Sequence, residues 1–293
     1  MIQSLAMFED FPIAAVTDEF SGDFETAAAS MHELGMTAAE LRVIYGKNIL
    51  DLSDDEVARV QSIAARYGLD IISLASPVLK CELPDAPAID ASIAHDVFGV
   101  QYTVADQPRL TERAFAVAKK TGARIIRVFS YWRTVAPEEC FAPVVAALRS
   151  LADQAAQHHV IIALENEHAC NIATAAESAR LLKAIDHPNL KLIWDPANAY
   201  VAGEKAYPDG YRLLPVDRIA HVHAKDCTMN GHVPVWGPLG EGDIDWKEQI
   251  RSLKEDGYRG YISLETHWRG PNGDKHLASM ICGRNLKALV ARA

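Results

Sequence analysis

The segment Val160-Ile161-Ile162-Ala163-Leu164-Glu165 gives the clearest indication of the fold of this 293-residue chain, because five apolar residues in succession end on a carboxylate. A continuous apolar run of this length is typical of a parallel strand that is covered on both faces. The run Ile125-Ile126-Arg127-Val128-Phe129 has nearly the same character. Around both runs the chain repeats one unit, a short β-rich run followed by a longer helical pattern.

Eight such units recur, and both ends of many predicted helices carry recognisable signals. Ser53-Asp54-Asp55-Glu56 has the pattern of a capping box at a helix start. Glycines 35, 68, 122 and 257 each follow a helical stretch, where glycine supplies the left-handed residue that ends a helix. The predicted strands are Ile13–Thr17, Ala38–Arg42, Asp70–Ala75, Arg124–Phe129, Val160–Glu165, Leu190–Asp195, Arg218–His223 and Gly260–Glu265. The predicted helices are Asp23–Leu34, Ser53–Tyr67, Thr111–Thr121, Pro137–His158, Thr174–Ile185, Trp246–Asp256 and Lys275–Val290.

Eight strand–helix units predict an α/β fold of the (β/α)₈ TIM-barrel type, with residues 1–293 forming a single domain. The main rival, a doubly wound open sheet, would place a glycine-rich turn after the first strand. The segment Val16-Thr17-Asp18-Glu19-Phe20-Ser21 contains no glycine. Two connections, Ser76–Pro108 and Lys225–Asp245, are long, and we expect them to be functional or to carry small extra helices.

Composition and charge narrow the classes of partner. The formal net charge of −10 disfavours nucleic acid and anionic membrane surfaces, both of which call for a basic face. No apolar run approaches the ~20 residues that span a bilayer, and the start of the chain lacks the plan of a secretion signal. The five cysteines are scattered without a CxxC pair, which indicates free thiols in a reducing compartment. We therefore expect a cytoplasmic protein.

The chemistry is concentrated where the last four predicted strands end, which is where β/α barrels hold their active sites. Four acidic strand ends on one rim would repel one another unless a divalent cation joined them. Of the two histidines in strand seven, His223 lies nearer the strand end, and His221 is expected to pack in the core one layer below. The predicted metal ligands are Glu165, Asp195, His223 and Glu265. Three carboxylates and one imidazole favour Mn²⁺, with Mg²⁺, Co²⁺ or Zn²⁺ as alternatives.

These strand ends, together with Gly237-Pro238-Leu239-Gly240-Glu241-Gly242-Asp243-Ile244-Asp245-Trp246, resemble the sugar phosphate isomerase/epimerase family of the xylose-isomerase-like TIM-barrel superfamily. The early segments Glu33-Leu34-Gly35 and Ala39-Glu40-Leu41-Arg42 agree with its second-strand signature, so the resemblance covers nearly the whole chain. It implies that the four predicted ligands bind Mn²⁺ and that the two glutamates act as acid and base on opposite faces of the substrate. This chain has Asn198 where the ketose 3-epimerases have a histidine, and Lys225-Asp226 where they continue towards a substrate-binding arginine.

The predicted function is metal-dependent isomerisation or epimerisation of a keto-sugar or related polyol through a metal-stabilised enediolate, with Glu165, Glu265 and Lys225 as catalytic residues. The alternative is a lyase or dehydratase that uses the same site on an inosose or 3-keto-glycoside. An abasic-site endonuclease would need more histidines at the strand ends, and the acidic charge disfavours it. A full ligand set argues against a non-catalytic binding protein and against a subunit that acts only with a partner.

Six further residues near the strand ends are candidates for contact with the small sugar substrate. Trp132 is expected to stack on a sugar, Arg133 to clamp an anion, and Lys80 to reach a carboxylate or phosphate. The sequence contains no glycine loop of the kind that cradles phosphate, so a phosphorylated substrate is not predicted. Self-association into a homo-oligomer is left open. The predicted substrate-binding residues are Glu40, Lys80, Trp132, Arg133, His168 and Asn198.

Overall fold

The computed structural model describes residues 11–95 and 101–293. Eight parallel strands, which we number β1 to β8, form a closed barrel in which each strand pairs with the next and β8 pairs with β1. This confirms the predicted (β/α)₈ barrel, while a single domain over residues 1–293 reaches beyond the described residues and stays a prediction. The strands are β1 (Ile13–Val16), β2 (Ala38–Leu41), β3 (Asp70–Val78), β4 (Ile125–Val128), β5 (Ile161–Glu165), β6 (Leu190–Trp194), β7 (Ile219–Ala224) and β8 (Ile262–Leu264).

The helices between the strands begin and end largely where the sequence signals lie. The Ser53 hydroxyl accepts from the Glu56 N–H while the Glu56 carboxylate accepts from the Ser53 N–H, so the predicted capping box is present. Gly122 ends its helix with a φ of 80°, in the left-handed region. The helices are α1 (Phe24–Glu33), α2 (Asp54–Arg66), α3 (Gln107–Thr121), α4 (Phe141–His158), α5 (Ala175–Ala184), α6 (Pro196–Val201), α7 (Trp246–Glu255) and α8 (Lys275–Val290).

Two helices differ from the prediction. The α3 helix starts four residues earlier than expected, because Pro108 fits the first turn of a helix, where its missing N–H is not needed. The short α6 helix was not predicted at all. Asp195 is its N-cap, and Asp195 Oδ1 accepts a hydrogen bond of 2.9 Å from the Asn198 N–H. The side chain that ends β6 therefore also starts a helix.

The long connection after β7 carries a β-hairpin, where small extra helices had been one expectation. Residues Asp226–Asn230 pair antiparallel with Val233–Gly237, and we call this pair the 226–237 hairpin. The Asp226 carboxylate anchors its base by accepting N–H groups from Cys227, Gly240, Gly242 and Ile244. A Cβ at Gly242 would lie 2.3 Å from Asp226 Oδ1, so only glycine fits there. One buried carboxylate thus fixes the path of a loop at the mouth of the barrel.

The other long connection contains the 3₁₀-helix Val104–Asp106, and its residues 96–100 lie outside the described part. Within residues 11–95 and 101–293, none of the helices combines the length and the apolar character needed to cross a bilayer. The five cysteines are buried and free, as the sequence indicates.

Candidate metal centre

The four predicted metal ligands come together at the carboxyl ends of β5 to β8, and we call them the ligand cluster. One ligand atom from each of Glu165, Asp195, His223 and Glu265 lies within 4.8 Å of the others. All four side chains are buried, with at most 2% of any residue exposed. His223 Nδ1 is 3.1 Å from Glu165 Oε1 and 3.4 Å from Glu265 Oε2. Successive parallel strands place their ends side by side, which explains how residues up to 100 positions apart meet here.

The ligand cluster meets two conditions for holding a divalent cation. Asp195 Oδ2 is buried and accepts no hydrogen bond from the described residues, although the Lys225 ammonium lies 2.8 Å away as an ionic contact. Burial and the neighbouring glutamates raise the pKa of Asp195 despite this ammonium, so the single lysine does not fully compensate the buried carboxylates, and a divalent cation would. The donor set, three carboxylates and one imidazole, also suits Mn²⁺, Mg²⁺, Co²⁺ or Zn²⁺. The residues present therefore fit the predicted metal, and its identity stays open.

Two arginines that sequence reasoning missed support the glutamates of the ligand cluster. Arg127 Nη1 donates to Glu165 Oε2 at 2.9 Å and lies 3.6 Å from Glu265 Oε1. Arg42 Nη1 donates to Glu265 Oε1 at 2.7 Å, while the rest of its guanidinium pairs with Asp18 and Glu19. Both arginines are 3% exposed. One feature of the sequence could have indicated Arg127: it is a charged residue inside an otherwise apolar strand, Ile125–Val128.

Lys225, a predicted catalytic residue, is buried against the ligand cluster. Its Nζ lies 2.8 Å from Asp195 Oδ2 and 2.9 Å from Glu265 Oε2. Burial alone would lower the pKa of Lys225, but these two carboxylates outweigh that effect and hold the pKa well above its ordinary value. The side chain is therefore an ammonium across the physiological range, placed where negative charge is concentrated. The Trp246 Nε1–H donates to the Lys225 carbonyl and fixes its backbone.

The carboxylates of the ligand cluster differ in proton affinity. Burial would raise the pKa of Glu265, yet Lys225 and His223 outweigh it and bring the pKa well below the ordinary value. In Glu165 burial is likewise outweighed, here by Arg127 and His223, and the pKa is lowered. Burial raises the pKa of Asp195, and the nearby Glu165 and Glu265 add to that rise against Lys225. Both glutamates are therefore ionised at neutral pH. Asp195 is the carboxylate whose ionised form an added cation would stabilise most, because its pKa is raised.

Two of the predicted substrate-binding residues lie directly beside the ligand cluster. Asn198 Nδ2 donates to Glu165 Oε1 at 3.4 Å, and its Oδ1 is 3.1 Å from His168 Nδ1. The His168 imidazole is also 2.9 Å from Glu167 Oε1, and its side chain is 21% exposed. Burial would lower the pKa of His168, but Glu167 outweighs it and raises the pKa. A contact of either residue with substrate stays a prediction.

Lys80 and Trp132 lie together in a buried group near Glu167. The Lys80 ammonium is 3.7 Å from Glu167 Oε2, 4.6 Å from the centre of the Phe129 ring and 5.6 Å from that of Trp132. Trp132 is 6% exposed and packs edge-on against His95. Glu167 links this group to His168, and hence to the ligand cluster. Contact of Lys80 or Trp132 with substrate stays a prediction.

Arg133 and Glu40 both make polar contacts with other residues of the chain. The Arg133 guanidinium pairs with Glu177 at 3.1 Å and donates to the carbonyls of Cys170 and Asn171. Its charge is paired at the start of α5, and contact with an anionic substrate group stays a prediction. Glu40 is fully buried, and its Oε1 is within hydrogen-bond distance of the Nε2 atoms of both His221 and His223. That position favours support of a ligand over contact with substrate.

The 226–237 hairpin contributes an aromatic side chain that sequence reasoning missed. The Trp236 ring centre is 5.6 Å from Lys225 Nζ and 5.0 Å from the centre of the His267 ring. His267 Nε2 in turn lies 3.7 Å from Glu265 Oε1. Trp236 therefore borders the ligand cluster on the side of Glu265. The signal was weak, because a tryptophan in a long loop has no periodic pattern around it.

Comparison with known proteins adds relatives of two reaction types. The chain is 25% identical over 165 residues to a 3-dehydroshikimate dehydratase of Bacillus anthracis, with 50% of this chain and 57% of the relative covered. It is 31% identical over 155 residues to an L-ribulose 3-epimerase of Methylomonas sp. (strain DH-1), covering 52% of this chain and 51% of the relative. The chain thus spans about half the length of these curated relatives.

Solved structures share the fold over nearly the whole chain. One described as the IOLI protein with a binding zinc atom has a TM-score of 0.74 and 16% identity, covering 96% of this chain and 98% of that one. At this identity the likeness concerns the fold alone. The sequence model described as a xylose isomerase-like TIM barrel matches residues 28–286, so this chain belongs to the xylose isomerase-like TIM-barrel family.

Proposed function

We propose that this protein is a divalent-metal-dependent isomerase or epimerase that acts on a keto-sugar or a related polyol. The observation that carries the proposal is the ligand cluster, in which three carboxylates and one imidazole converge within 4.8 Å while buried. Such a concentration of anions is costly unless a cation accompanies it. A divalent cation that polarises a carbonyl, beside ionised glutamates that can accept a proton, is also an arrangement that promotes removal of a proton next to that carbonyl.

The proposed ligands are Glu165, Asp195, His223 and Glu265. When bound, the ion would supply the positive charge that polarises a carbonyl and acidifies the adjacent C–H bond. Glu265 and Glu165 have lowered pKa values, so each is a carboxylate at neutral pH and can accept a proton from carbon. Proton transfer by positioned carboxylates typically contributes ~10²–10⁴-fold to a rate.

Lys225 is proposed to stabilise the intermediate. Loss of the proton turns the hydroxy-carbonyl unit into an enediolate, and the Lys225 ammonium lies 2.9 Å from Glu265 Oε2, close to where that charge develops. A preorganised cation in a site shielded from water is effective at such a point. Return of a proton to the neighbouring carbon gives an isomer, and delivery to the opposite face gives an epimer.

A lyase or dehydratase acting on an inosose or 3-keto-glycoside is the second candidate, and His168 is the observation that favours it. Its raised pKa and its 21% exposure give the site a proton donor at the barrel mouth. After a glutamate has removed the carbon-bound proton, His168 would protonate a leaving oxygen as the C–O bond breaks. The products would be an enone and water, or an enone and a released alcohol. The dehydratase among the relatives adds support to this candidate.

The test is a panel of keto-sugars, inososes and 3-keto-glycosides, incubated in D₂O with protein loaded with Mn²⁺, Mg²⁺, Co²⁺ or Zn²⁺. Exchange of a carbon-bound proton with formation of an isomer would establish the first candidate. A new enone absorbance, with loss of water or of an alcohol, would establish the second. Failure of the purified protein to bind any of the four metals would reject both.

Variants tie the reaction to the proposed residues. Glu165→Gln and Glu265→Gln keep the shape of each side chain and remove its charge, so turnover should fall below detection in each. Glu255→Gln, on the exposed side of α7, is the matched control and should retain wild-type turnover, because its side chain is 65% exposed and pairs only with Arg251 in the described structure. Substantial residual activity in either site variant would reject the role of that glutamate.

A further inference from the structure

We infer that Glu40 is a positioning residue for the metal: it fixes the imidazole of His223 so that Nδ1 faces the ion. The inference rests on the proposed function, because it presupposes that the ligand cluster binds a divalent cation. Its basis is the pair of contacts that His223 makes on opposite edges of its ring. Nε2 lies 3.1 Å from Glu40 Oε1, and Nδ1 lies 3.1 Å from Glu165 Oε1.

A neutral imidazole carries one N–H and one lone pair, and its neighbours decide which nitrogen has which. Glu40 Oε1 lies 2.7 Å from His221 Nε2 and 3.1 Å from His223 Nε2, so one carboxylate oxygen faces a ring nitrogen of each imidazole. A carboxylate only accepts hydrogen bonds, so the nitrogen that faces it, Nε2, must carry the hydrogen. Nδ1 faces the carboxylates of Glu165 and Glu265 and carries the other hydrogen in the metal-free protein. A ligating imidazole is neutral, so metal binding would release the hydrogen on Nδ1, while Glu40 keeps the one on Nε2.

His221 holds Glu40 in place from the other side. Its Nε2 is 2.7 Å from the same Oε1, and the two imidazole rings stand almost perpendicular, at 84°, with centres 5.5 Å apart. The three side chains are fully buried. His221 and His223 are two residues apart on β7, so both point into the barrel and Glu40 on β2 bridges them. The carboxylate therefore has a defined position beneath the metal ligand.

A role for Glu40 in binding substrate does not fit this arrangement. The residue has no exposed surface, and His223 lies between it and the rest of the ligand cluster. A purely structural ion pair is the other alternative. Such a pair would stabilise the barrel without setting the affinity for a metal, and the two roles are therefore separable by measurement. Carboxylates that hold a metal-bound histidine typically change metal affinity 10–100-fold when removed.

The experiment measures the dissociation constant of Mn²⁺ by competition with a fluorescent chelator at fixed pH, in wild type, Glu40→Ala and Glu40→Gln. We expect the affinity to fall about 10–100-fold in both variants. Glutamine keeps the volume of the side chain and one hydrogen-bond acceptor. Glu40→Gln therefore still tests the inference if Glu40→Ala does not fold. Far-UV circular dichroism and the melting temperature without metal establish that each variant is folded.

The matched control is Ser263→Ala. Ser263 lies on β8 directly opposite His223, is fully buried, and its hydroxyl has no hydrogen-bond partner in the described structure. Its removal perturbs the same layer of the barrel without touching the imidazole, so its Mn²⁺ affinity should equal that of wild type. The visible spectrum of Co²⁺-loaded protein gives a second readout, because its bands report the ligands directly. They should shift in Glu40→Gln and stay unchanged in Ser263→Ala.

The outcomes separate this inference from the proposed function. If folded Glu40→Gln binds Mn²⁺ within threefold of wild type and its Co²⁺ spectrum is unchanged, the positioning role is overturned and the proposed function is untouched. If wild type itself binds none of the four metals, the proposed function falls and the inference falls with it. A weaker Mn²⁺ affinity in Glu40→Gln, with wild-type affinity in Ser263→Ala, supports the inference.

Discussion

Replacement of Arg127 by methionine should reveal how strongly the ligand cluster depends on internal cations. Arg127 Nη1 donates to Glu165 Oε2 at 2.9 Å, and Nη2 donates to the Ala75 carbonyl at 3.1 Å. The two charged side chains are 3% and 1% exposed, so water cannot replace the guanidinium. Loss of one partner from a buried ion pair costs about 3–5 kcal/mol, because the other charge is left buried and alone.

The assay is urea denaturation of metal-free protein in EDTA, comparing wild type with Arg127→Met. We expect the variant to lose about 3–5 kcal/mol of unfolding free energy. The double variant Arg127→Met/Glu165→Gln should recover much of that loss, since it removes the stranded carboxylate as well. With saturating Mn²⁺ the loss should be smaller, because the ion would neutralise Glu165 in place of the arginine.

Arg180→Met is the control for removal of an arginine. Arg180 pairs with Glu138, but their side chains are 51% and 69% exposed, and exposed pairs contribute about 0–1 kcal/mol. If Arg127→Met costs no more than Arg180→Met, the buried charge of Glu165 is not what Arg127 compensates. If the double variant is no more stable than the single one, the loss has another cause than the stranded carboxylate.

Three further predictions concern the cations and carboxylates of the same site. Replacement of Lys225 by methionine should lower kcat about 10²–10³-fold, measured with saturating Mn²⁺ on the substrate found in the panel; loss of metal instead of kcat would contradict the proposed role. Addition of Mn²⁺ at 100 times its dissociation constant should raise the unfolding free energy by about 2.7 kcal/mol over the EDTA-treated protein, with no rise in Asp195→Ala if that residue is a ligand. The lowered pKa values of Glu265 and Glu167 predict that the contribution of these two groups to metal-free stability is fully present above their ordinary value of 4.5 and is lost as the pH drops below it. Urea midpoints from pH 7 to pH 3.5 test this, and Glu265→Gln should flatten the curve.

The fold and the ligand cluster were predictable because both follow from local patterns. Most barrel strands are short and largely apolar, and each of the four cluster residues lies in or directly after a strand. Once eight strand–helix units are counted, barrel closure follows from the strand number, and closure brings the strand ends together. The sequence therefore predicted four positions without any knowledge of side-chain contacts.

The supporting residues depend on which way a side chain points across the barrel, and that information is not local. Arg42 reaches Glu265 over a separation of 223 residues, and Arg127 reaches Glu165 from the neighbouring strand. Arg133 is a different case. It follows Trp132 directly, so sequence order suggested a shared role, yet its guanidinium is engaged by Glu177 and by backbone carbonyls. Propensity and spacing cannot distinguish these cases, because the partner is chosen by tertiary packing.

The sign of the net charge at the site gives the final argument for a metal-dependent reaction. Three carboxylates of the ligand cluster face two cations, Arg127 and Lys225, since the charge of Arg42 is shared with Asp18 and Glu19. Burial would lower the pKa of His223, but the surrounding carboxylates outweigh it and raise the pKa. An imidazole that ligates a metal is nevertheless neutral. Once His223 has released its extra proton, the cluster has one negative charge, which attracts a divalent cation. With that cation added, the same set has one positive charge, which is the sign that stabilises an oxygen anion developing on a substrate. Without the arginine and lysine, three carboxylates and a divalent ion would remain negative and would oppose that chemistry. Arg127 and Lys225 therefore matter for the proposed reaction, because their two positive charges make the net charge of the metal-loaded site positive.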